Sequence, residues 1–143
     1  MNHSIEFPGE NGYLKLEILE VYGFPNSTCF EGGYSCKMEI EIKCDCYYLK
    51  NTFYSSTGII SELYDELNKC NINLNGKANF SSCEYDVEFE IIYSNGKIEI
   101  VGKHQQHLNS DTFLNFIIFS DQSYFKSTLK ELEKIMISYP TPR

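Results

Sequence analysis

Apolar and polar residues alternate with a period of two along much of this chain, most cleanly within Cys83–His107. There Tyr85, Val87, Phe89, Ile91 and Tyr93 alternate with Glu84, Asp86, Glu88, Glu90 and Ile92. A strand would put the apolar set on one face and four carboxylates on the other. Asn95-Gly96 supplies the turn, since both central residues of a type I′ hairpin need positive φ, and Lys97–Lys103 returns through Ile98 and Ile100. Such a turn sets the register: Tyr93 faces Ile98, Ile91 faces Ile100 and Glu88 faces Lys103. Glu84, Asp86 and Glu90 are left without a cross-strand cation. The plain alternative is a solvated outer face that protects the sheet from aggregation.

The same pattern predicts a strand over Tyr13–Val21, with Leu14, Leu16 and Ile18 inward and Lys15 and Glu17 outward. Tyr22–Tyr34, with Pro25, Asn26, Ser27, Gly32 and Gly33, reads as a loop long enough to suggest a function. Cys36–Tyr54 reads as a long strand or bent strand pair: Met38, Ile40, Ile42, Cys44 and Cys46 inward, Lys37, Glu39, Glu41, Lys43 and Asp45 outward. The period then changes. Ile59, Ile60, Leu63, Tyr64 and Leu67 form one stripe of a helix over Thr57–Cys70, with Ser56 or Thr57 as cap. A short strand is expected around Ala78 and Phe80. Thr112–Phe119 is apolar on both faces apart from Asn115, the pattern of a central or covered strand. Ser120 or Asp121 caps a last helix, whose Tyr124, Phe125, Thr128, Leu129, Leu132, Ile135 and Met136 recur at helical spacing.

Strands interrupted by two amphipathic helices, without regular alternation, predict an α+β fold. The expectation is a single twisted, mostly antiparallel sheet with both helices packed on one face. Glu39, Glu41, Asp45 and the Glu84–Glu90 ladder would then share the opposite face. No repeat or linker divides residues 1–143, which read as one domain able to bury roughly two-thirds of its unfolded surface.

Charge narrows the classes of function. The net charge of -8 and a pI of about 4.8 argue against a nucleic-acid partner, because no Lys/Arg cluster is present to neutralise phosphates. A basic protein is the natural complement. Met1–Glu10 has no export signal and no apolar run is long enough to span a bilayer, so a cytoplasmic protein is expected. The cysteines (Cys29, Cys36, Cys44, Cys46, Cys70, Cys83) are then expected reduced, with Cys44 and Cys46 as small apolar fillers rather than disulfide or metal ligands. Cys44-x-Cys46 lies in a strand pattern, and His104-x-x-His107 has no thiol close in sequence, which is unlike a zinc site. No Gly-rich phosphate loop, nucleophile elbow or selected Cys–His pair is evident, and carboxylates on a half-buried hairpin stay too wet for general acid catalysis. No cofactor is expected.

The order of certain segments resembles the WapI-type immunity proteins, the antitoxins of bacterial polymorphic and contact-dependent toxin systems. The likeness begins at Leu16–Pro25, where a strand enters Tyr22-Gly23-Phe24-Pro25. It continues through Met38–Ile42, the helix at Ile59–Leu67, Gly76-Lys77-Ala78-Asn79-Phe80, Glu84–Ile91 and Gly96–Ile100. Its sharpest part is Leu114-Asn115-Phe116 leading to Ser120-Asp121-Gln122-Ser123-Tyr124. Family members usually carry a Trp ahead of the second strand, where this chain has Cys36-Lys37. The resemblance implies a non-enzymatic inhibitor of a cognate secreted toxin domain, a nuclease being the expected target, bound one-to-one so that the active site or substrate entry is blocked. Glu84, Asp86, Glu88, Glu90, Glu39, Glu41 and Asp45 are the candidate toxin-binding residues. A small enzyme or ligand-binding domain using Cys and His is the alternative, and a structural oligomerisation module is a third reading.

Overall fold

A computed structural model describes residues 3–107 and 109–140. In chain order these residues form β1 (Ser4–Gly9), β2 (Gly12–Val21), β3 (Ser35–Cys44), β4 (Tyr47–Ser56) and α1 (Thr57–Asn73). There follow β5 (Asn75–Ser81), β6 (Val87–Ser94), β7 (Lys97–Gln105), β8 (Phe113–Asp121), a 3₁₀ turn (Gln122–Phe125) and α2 (Lys126–Ser138). The class is α+β, but the expected single sheet is two antiparallel sheets, ordered β1-β2-β3-β4 and β5-β6-β7-β8. The helix α1 separates β4 from β5, so β5 starts a new ladder instead of extending the first. Burial explains why this wins. Each sheet has one continuous apolar face, and two helices are too few to cover both.

The apolar faces meet in an aromatic core. Phe7 of β1 packs edge-on against Phe89 of β6 and Phe125, Phe53 of β4 against Phe80 of β5, and Phe80 stacks on Phe89 at 5.0 Å. The strand β4 crosses the ends of the second sheet's strands. The Tyr54 carbonyl accepts from Cys83 N–H at 3.1 Å, Asn51 reaches the His104 ring at 3.4 Å, and Leu49 shares a cavity with Phe113 and Leu114. The helices close the flank. Thr128 of α2 donates to the Glu6 carbonyl and Ser120 to the Pro8 carbonyl, which tie down β1. Alternation did not single out β1, yet its Ile5 and Phe7 are fully buried.

Local signals place the element ends. The Ser56 hydroxyl accepts from Ile59 N–H at 3.1 Å and so caps α1, while Asp121 accepts from Ser123 N–H at 2.8 Å where the last helical segment begins. Asn95 and Gly96 both have positive φ, 52° and 84°, and the β6–β7 register pairs Tyr93 with Ile98, Ile91 with Ile100 and Glu88 with Lys103 as expected. Cys36–Tyr54 resolves into the β3–β4 hairpin, turning at Asp45 with φ 55°. That turn carries Cys46 out to solvent, contrary to its expected inward position, whereas Cys44 is buried.

Candidate functional site

The anticipated acidic ladder is only half formed. Val87 begins β6, so Glu88 and Glu90 point outward, but Glu84 and Asp86 belong to the preceding turn, where Tyr85 has φ 60°. Asp86 is 8% exposed and accepts from the Ser82 hydroxyl at 2.6 Å, and Ser82 in turn accepts from Val87 N–H at 3.0 Å. Positive φ at Tyr85 breaks the alternation one residue before the strand, which turns Asp86 inward and Tyr85 outward. Glu90 also has a cation after all: Lys77 on β5 lies 3.9 Å away.

Division into two sheets separates the acidic residues. Glu39 and Glu41 lie on the outer face of the first sheet, Glu88 and Glu90 on that of the second. On the first, register sets Glu6 beside Lys15, Lys15 beside Glu41 and Glu41 beside Lys50, so signs alternate across four strands. Lys50 pairs with Glu39 at 3.7 Å. Glu41 accepts from the Tyr13 hydroxyl, whose pKa is pushed up to about 12 chiefly by that bond. Asp45 sits exposed in its turn, and Lys43 donates to its carbonyl.

Cys36 and Cys83 are poorly suited to nucleophilic work. Burial pushes Cys36 up to about 12 and Cys83 up to about 11, the latter helped by Glu31, so both stay protonated near neutrality. Among the described residues no group of three or more His, Cys, Asp or Glu side chains is placed to hold a metal ion. His104 is buried beside Asn51, and desolvation lowers its pKa against the opposing pull of Asp86. The neutral ring lines an open cleft of about 350 Å³ with Leu49, Phe113 and Leu114. Lys50, Asn51, Gln106 and Thr112 complete the lining, so the cleft has an apolar wall and a polar rim.

Exposed apolar groups form two further features that the alternation did not assign. Strand β8 is an edge strand, not a covered one, and its outward Phe113, Ile117 and Phe119 are exposed beside Val101. The loop Tyr22–Tyr34 also divides its aromatics. Tyr34 is core and Phe24 packs against it and Tyr139, whereas Phe30 stands wholly in solvent. Exposed aromatics and carboxylates on open surfaces suit recognition of a macromolecule better than conversion of a small substrate.

Comparison with known families agrees with that surface. The profile of the immunity protein WapI-like family matches residues 5–140, which span nearly all of both sheets and both helices. The chain belongs to the WapI-like immunity protein family. Membership points to an immunity or antitoxin role, with a toxin protein as partner. No curated protein and no solved structure matches the chain. No helix among the described residues is long and apolar enough to cross a membrane.

Proposed function

We propose that this protein is the antitoxin for a cognate secreted toxin effector domain, a nuclease, which it neutralises in the cytosol by a one-to-one complex that occludes the active site or the entry of substrate. The family match over residues 5–140 carries the reading. The excess of acidic side chains supports it, because a nuclease must present a cationic groove to its substrate and an acidic inhibitor is drawn to that groove. Inhibition by occlusion needs no catalytic residue. The outward carboxylates Glu39, Glu41, Asp45, Glu84, Glu88 and Glu90 contribute to attraction, while Asp86 supports the turn that carries Glu84. Co-expression with the cognate toxin domain, sought in the adjacent reading frame or by pull-down, tests the reading. The expected result is restored growth of the host, a stoichiometric complex on size-exclusion chromatography and loss of nuclease activity in vitro. A toxin that stays active in the presence of excess protein would reject it.

A further inference from the structure

Phe30 is the most exposed large apolar side chain among the described residues, yet the backbone that carries it is well anchored. Cys29 N–H donates to the Gly33 carbonyl at 2.9 Å, Gly32 N–H to the Cys29 carbonyl at 3.1 Å, and Gly58 N–H of α1 to the Gly32 carbonyl at 3.2 Å. A Cβ on Gly58 would lie 2.3 Å from the Gly32 carbonyl oxygen, so only glycine lets this turn seat on the helix. Phe30 is thus held in water by a fixed support and packs against nothing that stabilises the fold. Exposed aromatics on rigid supports lose little conformational entropy on binding.

The chain brings partners to this side chain. The Phe30 turn seats on Gly58, four residues beyond Tyr54, and the Tyr54 carbonyl accepts from Cys83 N–H at 3.1 Å, while Glu31 helps to push up the Cys83 thiol. Tyr54 and Tyr85 are themselves exposed, by 48% and 58%. One edge of the molecule therefore gathers Phe30, Tyr54 and the Glu84-Tyr85 turn. Glu39, Glu90 and Glu131 are held by Lys50, Lys77 and Lys134, and none of these three ion pairs engages Glu31 or Glu84.

We propose that Phe30, Tyr54 and Tyr85, flanked by Glu31 and Glu84, form the docking edge for the toxin domain, and that the toxin offers an apolar pocket ringed by Lys or Arg. This rests on the antitoxin reading given above. Charge complementarity selects the occupant: a second copy of this chain would set Glu31 and Glu84 against their own kind, whereas a cationic groove satisfies them. The β8 stripe lacks that selectivity. Its surroundings are already balanced, with Glu88 opposite Lys103, Lys97 opposite Asp121, and the Lys103 ammonium 5.5 Å above the Phe113 ring. Aromatic side chains at the centre of an interface carry much of its binding energy.

Affinity of the full chain for the cognate toxin domain, sought in the adjacent reading frame or by pull-down, tests this directly. Phe30→Ala should weaken binding by about tenfold or more, and Phe30→Ala with Tyr85→Ala by about a hundredfold, with the melting temperature of Phe30→Ala unchanged within about 2 °C. Ile117→Thr on β8 should leave the affinity within about twofold. Undiminished binding by the Phe30/Tyr85 variant beside tight wild-type binding would overturn the docking edge and leave the antitoxin reading standing. Failure of the wild-type protein to bind the toxin at all would overturn both. A homodimer of the protein alone that Phe30→Ala dissolves would overturn the choice of occupant in favour of a second copy.

Discussion

At position 86 a carboxylate that strict alternation assigns to solvent is turned into the protein, and the cause lies one residue earlier, in the positive φ of Tyr85. Asp86 faces a consequence of that burial in His104, whose ring is desolvated and kept neutral although the carboxylate pulls the other way. The sign for stability follows. The folded pKa lies below the ordinary 6.5, so in acid the unfolded chain binds a proton at this ring more readily than the folded one. His104 thus contributes stability above pH 6.5 that is lost as pH falls toward its folded pKa. Lowering pH from about 7.5 to about 5.5 should therefore reduce the melting temperature of the wild type more than that of His104→Asn. Equal losses in thermal melts of the two proteins would remove His104 from the account.

Among the elements, β8 carries the greatest mismatch between pattern and placement. Apolar residues on both faces suggest a central strand, but it is an edge, and its unpaired backbone needs a cover. Asn11, in the β1–β2 turn, supplies one: its side chain donates to the Ile117 carbonyl at 2.9 Å and accepts from Phe119 N–H at 2.8 Å, as a neighbouring strand would. Glu10 N–H adds a bond to the Phe119 carbonyl at 2.7 Å. Asn11→Ala should destabilise the protein by about 1–2 kcal/mol in urea unfolding. It should also make light scattering rise with protein concentration, because the freed edge lies beside exposed Ile117 and Phe119. Unchanged stability and scattering would mean that the edge is protected by other means.

For the molecule as a whole, net charge matters more than any one acidic column. One row across the first sheet alternates in sign although Glu17 lies opposite Glu39 beside it, and Glu88 and Glu90 have Lys103 and Lys77 near them, so no sheet face is a plain acidic plate. The field that steers a cationic partner then comes from the summed excess of carboxylates, including those in turns and on α1 such as Glu62 and Glu66. Association with the toxin domain should slow by about tenfold or more between roughly 50 mM and 500 mM salt. Reversing Glu88 and Glu90 together should lower the on-rate at low salt and leave dissociation nearly unchanged. Stopped-flow rates independent of salt would show that attraction plays no part.

Local chemistry was sufficient for several features of this protein. The Asn95-Gly96 hairpin and its register, the Ser56 cap of α1, the Asp121 cap of the 3₁₀ turn that precedes an α2 without a side-chain cap, the helical stripes and the inward columns through Met38–Ile42 and Val87–Tyr93 each depend on residues close in the chain. The order of such segments also carried the family, since a resemblance is a property of the sequence. What the sequence could not decide were relations between distant segments. A period of two says which residues share a face, but not whether the faces of β1–β4 and β5–β8 lie side by side or opposite each other. That choice followed from burying two apolar faces at once, and it put Glu39 and Glu88 on different surfaces. It also made β8 an edge and brought Glu31, beside Phe30, to Cys83, 52 positions away. Those placements depend on contacts between side chains far apart in the chain, to which periodicity is blind.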